Sequence, residues 1–426
     1  MLIIAVVSLL PIIFLFLTIW WYFIYFKYEP YLQRFSGPSH IPIFGSMHHF
    51  GIKGSILSTF SKHLKKHKSP MKFFLGYNPV LILADPKSIE FVLSSNKIIS
   101  KSFQYRFFHA WLGQGLLTSE GTRWKTHRKL LTSAFHFRIL EKFIDVFDTQ
   151  SNILIQQLEI VKNKEVDIFP YITLCALDVI CELLTQHVCN LTDLESSKKG
   201  IALLDLLLTS TVDDKPLTNQ AIREEVDTFM FGGHDTTTSG ISFAMYLLSK
   251  HPEIQEKVLD EIITTFGNDK VLQLTYEGLQ NLKYLEQVIK EALRIYPPVP
   301  IFSRLVTEDA LFDGQIIPKG TVMKIFTYEL HNNPSIFPNP DVFDPERFNA
   351  TNSKNISFYS YIPFSAGPRN CLGQKFAMLE VKALVCKVLH KFKLLPVLGH
   401  TPKLKTDAVL ISENGLPVRL KERHKY

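Results

Sequence analysis

The 426-residue chain is 46% hydrophobic and 20% charged, the balance of a packed globular protein and not of a disordered one. Its net charge of +7, from 47 Lys and Arg against 40 Asp and Glu, suits an anionic membrane surface or an acidic partner and is too small to argue for nucleic acid. The five cysteines, Cys175, Cys181, Cys189, Cys371 and Cys386, form no CxxC pair, which argues against a disulfide framework or a zinc site and for a reducing compartment.

The first element is an apolar run without charge, Leu2 to Phe26, long enough to span a bilayer. Trp20, Trp21 and Tyr22 fit the interfacial belt at its end, and no small-residue cleavage site follows. Basic residues come next: Lys27, Arg34, Lys53 and the run from Lys62. By the positive-inside rule the bulk of the chain then faces the cytosol behind a single N-terminal span. Three N-x-[ST] sequons, at Asn190, Asn349 and Asn355, are expected to stay unmodified there. The division expected is a transmembrane anchor over 1–27, a Pro/Gly linker over 28–45 and a catalytic domain over 46–426.

Met71 to Asp85 alternates and breaks at Gly76 to Pro79, which predicts a hairpin. Pro86 opens a helix, Ala110 to Gly121 reads as loop, and Arg123 to Phe135 as a basic amphipathic helix. Residues 138–187 read as two helices broken near Pro170. Thr218 caps a helix that runs to about Lys250. Helices over His251 to Gly267 and from Tyr276 follow, the last stopped by Pro297-Pro298. Short strands and Pro-rich loops fill 299–362, and a long helix follows Cys371. Asn414-Gly415 between two apolar runs predicts a C-terminal hairpin. The fold class is mainly α with minor β.

Two stretches carry chemistry. PFSAGPRNCLG presents one thiol, Cys371, behind Gly367, Pro368 and Arg369 and ahead of Gly373; an inert core cysteine needs no such setting. VDTFMFGGHDTTTSGISFAMYLL (Val226 to Leu248) reads as a buried helix, yet Gly232 and Gly233 each cost about 1 kcal/mol against Ala in a helix interior. Their missing side chains admit either a flat, wide group or a closely packed helix. A hydroxyl and a carboxylate beside the gap, Thr236 and Asp235, can pass protons, or the threonines can bond back to their own helix. Both readings stand on the residues alone.

Together these stretches resemble the cytochrome P-450 family of haem-thiolate monooxygenases. Phe364 to Gly373 fits F-x-x-G-x-R-x-C-x-G without a mismatch. Glu291-Ala-Leu-Arg294 is similar to the family's E-x-x-R, Pro345-Glu346-Arg347-Phe348 to its P-E-R-F, and Trp124 to Arg128 to its W-x-x-x-R. The resemblance implies the P-450 fold behind a membrane anchor, and haem b with Cys371 as axial iron ligand. It implies that Trp124, Arg128, Arg304 and Arg369 bind the propionates, that Phe364, Gly367 and Gly373 shape the loop, and that Glu291, Arg294 and Arg347 form a buried structural ion network. Gly232, Gly233, Asp235 and Thr236 match its (A/G)-G-x-(D/E)-T, which implies that Asp235 and Thr236 serve catalysis by handling protons and dioxygen. The partners implied are O2, a lipophilic substrate, and an NADPH-dependent flavoprotein reductase, with a small haem protein as an alternative donor. Nucleic acid is not among them. Lys125, Lys129, Lys142 and Lys375, with Arg123, form a candidate docking face or an ordinary solvated one.

Longer runs such as REEVDTFMFGGHDTT and HNNPSIFPNPDVFDPERF resemble the fatty-acid-hydroxylating branch, family four. Two departures stand out. Many members of that branch carry at position 232 a Glu that esterifies a haem methyl; Gly232 cannot, so haem is expected to be held only by the thiolate–iron bond and non-covalent contacts. Near 183–204 only about twenty residues stand where lid helices should roof the substrate, too few for two helices and their loops. The alternative to a working monooxygenase is therefore a truncated, impaired haem-binding form. A Cys-dependent hydrolase fits poorly, because no His–Asn arrangement accompanies Cys371.

Overall fold

The computed structural model describes residues 2–51, 55–135, 137–185, 203–269 and 271–423. The apolar N-terminal run is one helix, α1 (Leu2–Leu32). Its stretch Leu9–Leu32 has mean hydropathy 2.1 and, apart from buried Leu32 at its end, is exposed or half-buried, so by length and composition it can cross a membrane. The helix passes the expected anchor boundary at 27 and ends at Leu32. Gly37 follows because the backbone runs against the Lys72 carbonyl, where a Cβ would collide, and Lys72 N–H donates to Ser36 O at 2.9 Å.

In chain order come α2 (Ile56–His67), β1 (Met71–Leu75), β2 (Asn78–Leu83) and α3 (Pro86–Leu93). The expected hairpin forms, with Leu75 opposite Asn78; its turn is Gly76-Tyr77, and Pro79 lies inside β2 and not in the break. Asp85 caps α3 by accepting from Ser88 N–H at 2.9 Å. The loop expected over 110–121 contains the single turn α4 (His109–Leu112) at its start; α5 (Gly121–Thr132) and α6 (Phe137–Ile160) follow. The two helices expected over 138–187 form: strand β3 (Glu165–Asp167) separates α6 from α7 (Phe169–Thr185), and Pro170 lies in the first turn of the second. The segment near 183–204 falls largely outside the described residues, as do Cys189 and the sequon at Asn190.

Then come α8 (Leu203–Thr209), β4 (Thr211–Val212), β5 (Lys215–Pro216) and the long α9 (Asn219–Lys250). The Thr218 side chain accepts from Ala221 N–H at 3.2 Å, the cap the sequence predicts. Next are α10 (Pro252–Phe266), α11 (Tyr276–Asn281) and α12 (Lys283–Ile295). The single helix expected from Tyr276 is two, divided at Leu282. Strands β6 (Phe302–Leu305), β7 (Ala310–Phe312), β8 (Gln315–Ile317) and β9 (Val322–Ile325) precede α13 (Thr327–His331). After Cys371 run α14 (Gln374–Lys391), β10 (Phe392–Pro396), β11 (Leu404–Thr406), β12 (Leu410–Ser412) and β13 (Pro417–Glu422).

The C-terminal hairpin is not the one expected. β12 pairs with β11, while β13 pairs with β10 and β3 in another sheet. Asn414 accepts from Lys403 N–H at 2.7 Å and from the Ser412 hydroxyl at 2.9 Å, and Gly415 takes φ 72°, so Asn-Gly passes the chain between sheets.

The described chain divides into two compact units, where nothing in the sequence marks a boundary inside 46–426. The first holds the chain to Gln104, Ile301–His331 and Ser357–Arg369. It contains the sheet β1-β2-β9-β6, parallel only between β2 and β9, over a core that includes Phe60, Phe73 and Phe326. The second holds Tyr105–Pro300, Asn332–Ile356 and the chain from Asn370. It is helical, and α9 runs through its core, buried from Thr237 to Ser249 and packed against α7, α12 and α14.

Candidate functional site

The cysteine loop passes from the first unit to the second between Arg369 and Asn370. Gly367 has φ 71° and an added Cβ would run into the Leu93 carbonyl oxygen, so this position admits only glycine. Arg369 Nη1 donates to Ile99 O at 3.0 Å. Upstream, the fully buried His331 accepts from Ile362 N–H at 2.9 Å through Nε2, tying α13 to the start of the loop. Nothing in the sequence singles out His331. Phe364 and Arg304 are in the same unit, Arg304 buried on β6 with Nη1 donating to Ser303 O at 3.1 Å.

In the second unit, Arg128 Nη1 and Nη2 donate to Asn370 O and Oδ1 at 2.8 and 2.7 Å. The residue expected to bind a propionate therefore also braces the residue before Cys371. Burial pushes the Cys371 thiol up, while the backbone N–H of Gly373 and the charge of Arg128 favour the thiolate. Cys371 is nonetheless solvent-accessible. Gly373 caps α14, which turns that helix's positive end toward the sulfur.

On α9, residues 232–236 are accessible between buried Phe231 and the buried run from Thr237. The two readings of the glycines divide between them. A Cβ on Gly233 would stand 2.5 Å from Ile180 Cδ1 of α7, so Gly233 serves helix packing. A Cβ on Gly232 would have nothing within 4 Å among the described residues, so Gly232 is the one that leaves room. The Thr236 hydroxyl donates to Gly232 O at 2.7 Å, and Asp235 Oδ1 lies 3.0 Å from His234 Nδ1. His234 Nε2 is buried without a partner among the described residues.

Sequence reasoning missed the acids that meet α5. Glu224 pairs with Arg123 at 2.6 Å and Glu225 with His127 at 2.7 Å. The signal available was Glu224-Glu225 about two turns before the glycines of a buried helix. Arg123 is thus committed to an acid rather than to a docking face; Lys125, Lys129, Lys142 and Lys375 are exposed.

Glu291, Arg294 and Arg347 meet in one ion-pair cluster. Glu291 and Arg294, both fully buried, meet at 2.7 and 2.8 Å, and Arg347 Nε stands 3.3 Å from Glu291 Oε1. Arg294 also donates to Pro340 O at 2.6 Å, and Asp344 N–H to Glu291 at 3.1 Å. Two guanidinium groups and a backbone amide thus satisfy one buried carboxylate, and removing any partner leaves charge unpaired.

Among the described residues no group of three or more His, Cys, Asp or Glu could hold a bare metal ion. A metal at a single thiol must bring its other ligands with it, as a porphyrin does. Within the second unit, the accessible Cys371, the clearance at Gly232 and the Arg128 guanidinium fit haem.

The cytochrome P450 family model matches residues 35–200 and 191–418. The chain is 35% identical over 483 residues to cytochrome P450 4c3 of Drosophila melanogaster, covering 92% of this chain and 90% of that one. It is 37% identical to cytochrome P450 4d2 of the same organism, over 91% and 93% of the two chains, and 38% identical to mouse cytochrome P450 4V2, over 84% and 83%. The chain belongs to the cytochrome P450 family and is a P450 monooxygenase, with the mainly α, minor β fold of that family. The alignment to 4c3 is longer than the chain's own 426 residues, so that relative carries positions this chain lacks. The family match breaks into two segments that meet at residues 191–200.

Proposed function

We propose that this chain is a membrane-anchored haem-thiolate monooxygenase acting on lipophilic substrates of the fatty-acid class, supplied with electrons by an NADPH-dependent flavoprotein reductase. The observation that carries the reading is the Cys371 loop: an accessible thiol, with a backbone N–H and a guanidinium favouring its ionised form, at the positive end of α14. Cys371 would ligate the iron; Trp124, Arg128, Arg304 and Arg369 would hold the propionates; Phe364, Gly367 and Gly373 would shape the loop. Haem supplies the activation of O2 and the oxidation of a C–H bond, with one oxygen atom going to substrate and the other leaving as water. The chain supplies the two protons that this balance needs. Asp235 would hold a proton on its carboxylate, and Thr236 would pass it through Oγ1 once that hydroxyl turns away from Gly232 O. Glu291, Arg294 and Arg347 would keep the proximal side rigid. The exposed lysines of α5, with Lys142 and Lys375, would meet an acidic reductase. Helix α1 would anchor the chain in the endoplasmic reticulum membrane, with the remainder in the cytosol.

The longer relatives and the break at 191–200 favour a second reading: the missing positions are lid helices, and this form binds haem but couples electrons poorly to substrate oxidation. A reduced, carbon-monoxide-bound absorption spectrum of membranes expressing the chain tests the reading at its base. The expected result is the red-shifted Soret band of thiolate-ligated ferrous haem, lost in Cys371→Ala. A band typical of imidazole or neutral-thiol ligation in the unaltered chain would overturn it.

A further inference from the structure

We propose that Glu224 and Glu225 form a clamp that fixes the roll of α5 about its own axis and so aims Trp124 and Arg128; the two acids are positioning residues for the haem-holding pair. The inference rests on the reading of Trp124 and Arg128 just given. On an α-helix, residues four apart share a face, and consecutive residues point about 100° apart. Arg123 and His127 therefore form one stripe of α5, and Trp124 and Arg128 the adjacent stripe. The first stripe is tied to α9. Arg123 Nη2 donates to Glu224 Oε2 at 2.6 Å, and His127 Nδ1 stands 2.7 Å from Glu225 Oε1. The His127 and Glu225 side chains are 6% and 0% exposed, so this tie is not screened as a surface pair would be. The loop leading into α5 is held by Glu225 and by Arg123: Leu116 N–H donates to Glu225 Oε2 at 2.9 Å, and Arg123 Nε to Gln114 O at 3.0 Å. Gly113 and Gly115 permit this, since a Cβ at either would collide with Glu224, and at Gly115 with Thr228 as well.

The second stripe takes its aim from the first. Arg128 reaches the two Asn370 oxygens at 2.8 and 2.7 Å, one residue from Cys371. A roll of about 10° moves a side-chain tip at the helix rim by about 1 Å, enough to break such a bond.

The test uses full-length holoprotein and follows the rate of haem transfer to excess apomyoglobin, together with the thiolate-type carbon-monoxide band. Arg128→Ala is the reference and speeds haem loss. Arg123→Glu and Glu224→Arg should each speed it about tenfold, the worth of one charge-assisted hydrogen bond, and the double exchange should restore the slow rate. Glu225→Gln, which keeps shape and an acceptor for Leu116 N–H, should give a smaller rise. If Arg128→Ala speeds haem loss while every clamp variant keeps the unaltered rate, even at a lowered melting temperature, the clamp is only structural and the proposal fails. If Arg128→Ala itself changes nothing, the propionate reading fails and takes the clamp with it.

Discussion

Glu380 lies nine residues after Cys371 on α14, 1% exposed, with neither carboxylate oxygen hydrogen-bonded among the described residues. Burial raises its pKa well above the usual carboxylate range. The consequence for stability has a definite sign. Below the ordinary carboxylate pKa, Glu380 is protonated in both states and costs nothing extra. As pH rises, the unfolded chain ionises freely while the folded chain must keep the proton or bury a bare charge, so stability falls. Glu380→Gln removes that slope. Thermal melting should show the variant gaining about 1–3 kcal/mol near pH 8 and little near pH 4, below the ordinary carboxylate pKa; an equal effect at both would exclude burial of the acid as the cause. The sequence did not reveal this. In FAMLEVKALV a glutamate beside a lysine looks like a solvated face, and only the packing around α14 shows that Glu380, Lys382 and Lys387 are all buried. Lys382 and Lys387 have ion-pair partners, Glu286 at 2.9 Å and Asp148 at 2.7 Å.

Within α9, neighbouring glycines do opposite work, and substitutions separate them. Gly233→Ala should destabilise by roughly 1–3 kcal/mol through the Ile180 contact, read as a fall in melting temperature of the apoprotein, with relief when Ile180→Val removes the offending Cδ1. Gly232→Ala meets nothing and should stabilise the apoprotein through helix propensity by up to about 1 kcal/mol, while lowering haem incorporation if the haem face needs that clearance. Unchanged incorporation would remove Gly232 from the site. With no carboxylate at 232, acid extraction into organic solvent should release all the haem, and Gly232→Glu should retain part of it. The sequence presented both readings of the pair but could not divide them, because the division depends on which face of α9 meets α7. Helix ends were legible wherever a cap or proline sets them, as at Thr218, Asp85 and Pro297. The division at Leu282 and the destination of the strand after Gly415 were not, since both follow from partners distant in sequence.

For the molecule as a whole, the motifs were legible because each is local in sequence: the cysteine loop, E-x-x-R with P-E-R-F, and the glycine helix. The boundary between the two units and the clamp were not, because each joins segments about a hundred residues apart or more. The shortness of the segment near 183–204 is legible by length alone, and if the positions it lacks are lid helices, as the second reading has it, their loss would govern turnover. A roof over the substrate excludes water and fixes the C–H bond to be attacked. On the second reading proposed above, electrons would still arrive from the reductase, since Cys371, Arg128 and the exposed lysines lie outside 183–204 in sequence, but protons and water would reach the site unregulated. On that second reading this chain, in membranes with reductase and a long-chain fatty acid, should consume NADPH with little hydroxylated product, the balance leaving as reduced oxygen. Grafting the corresponding segment of cytochrome P450 4c3 between Leu183 and Leu204 should raise product formed per NADPH several-fold without changing the thiolate-type band. Tight coupling in the ungrafted chain would mean that the residues present already close the pocket, and that the missing positions belong to some other part of the fold.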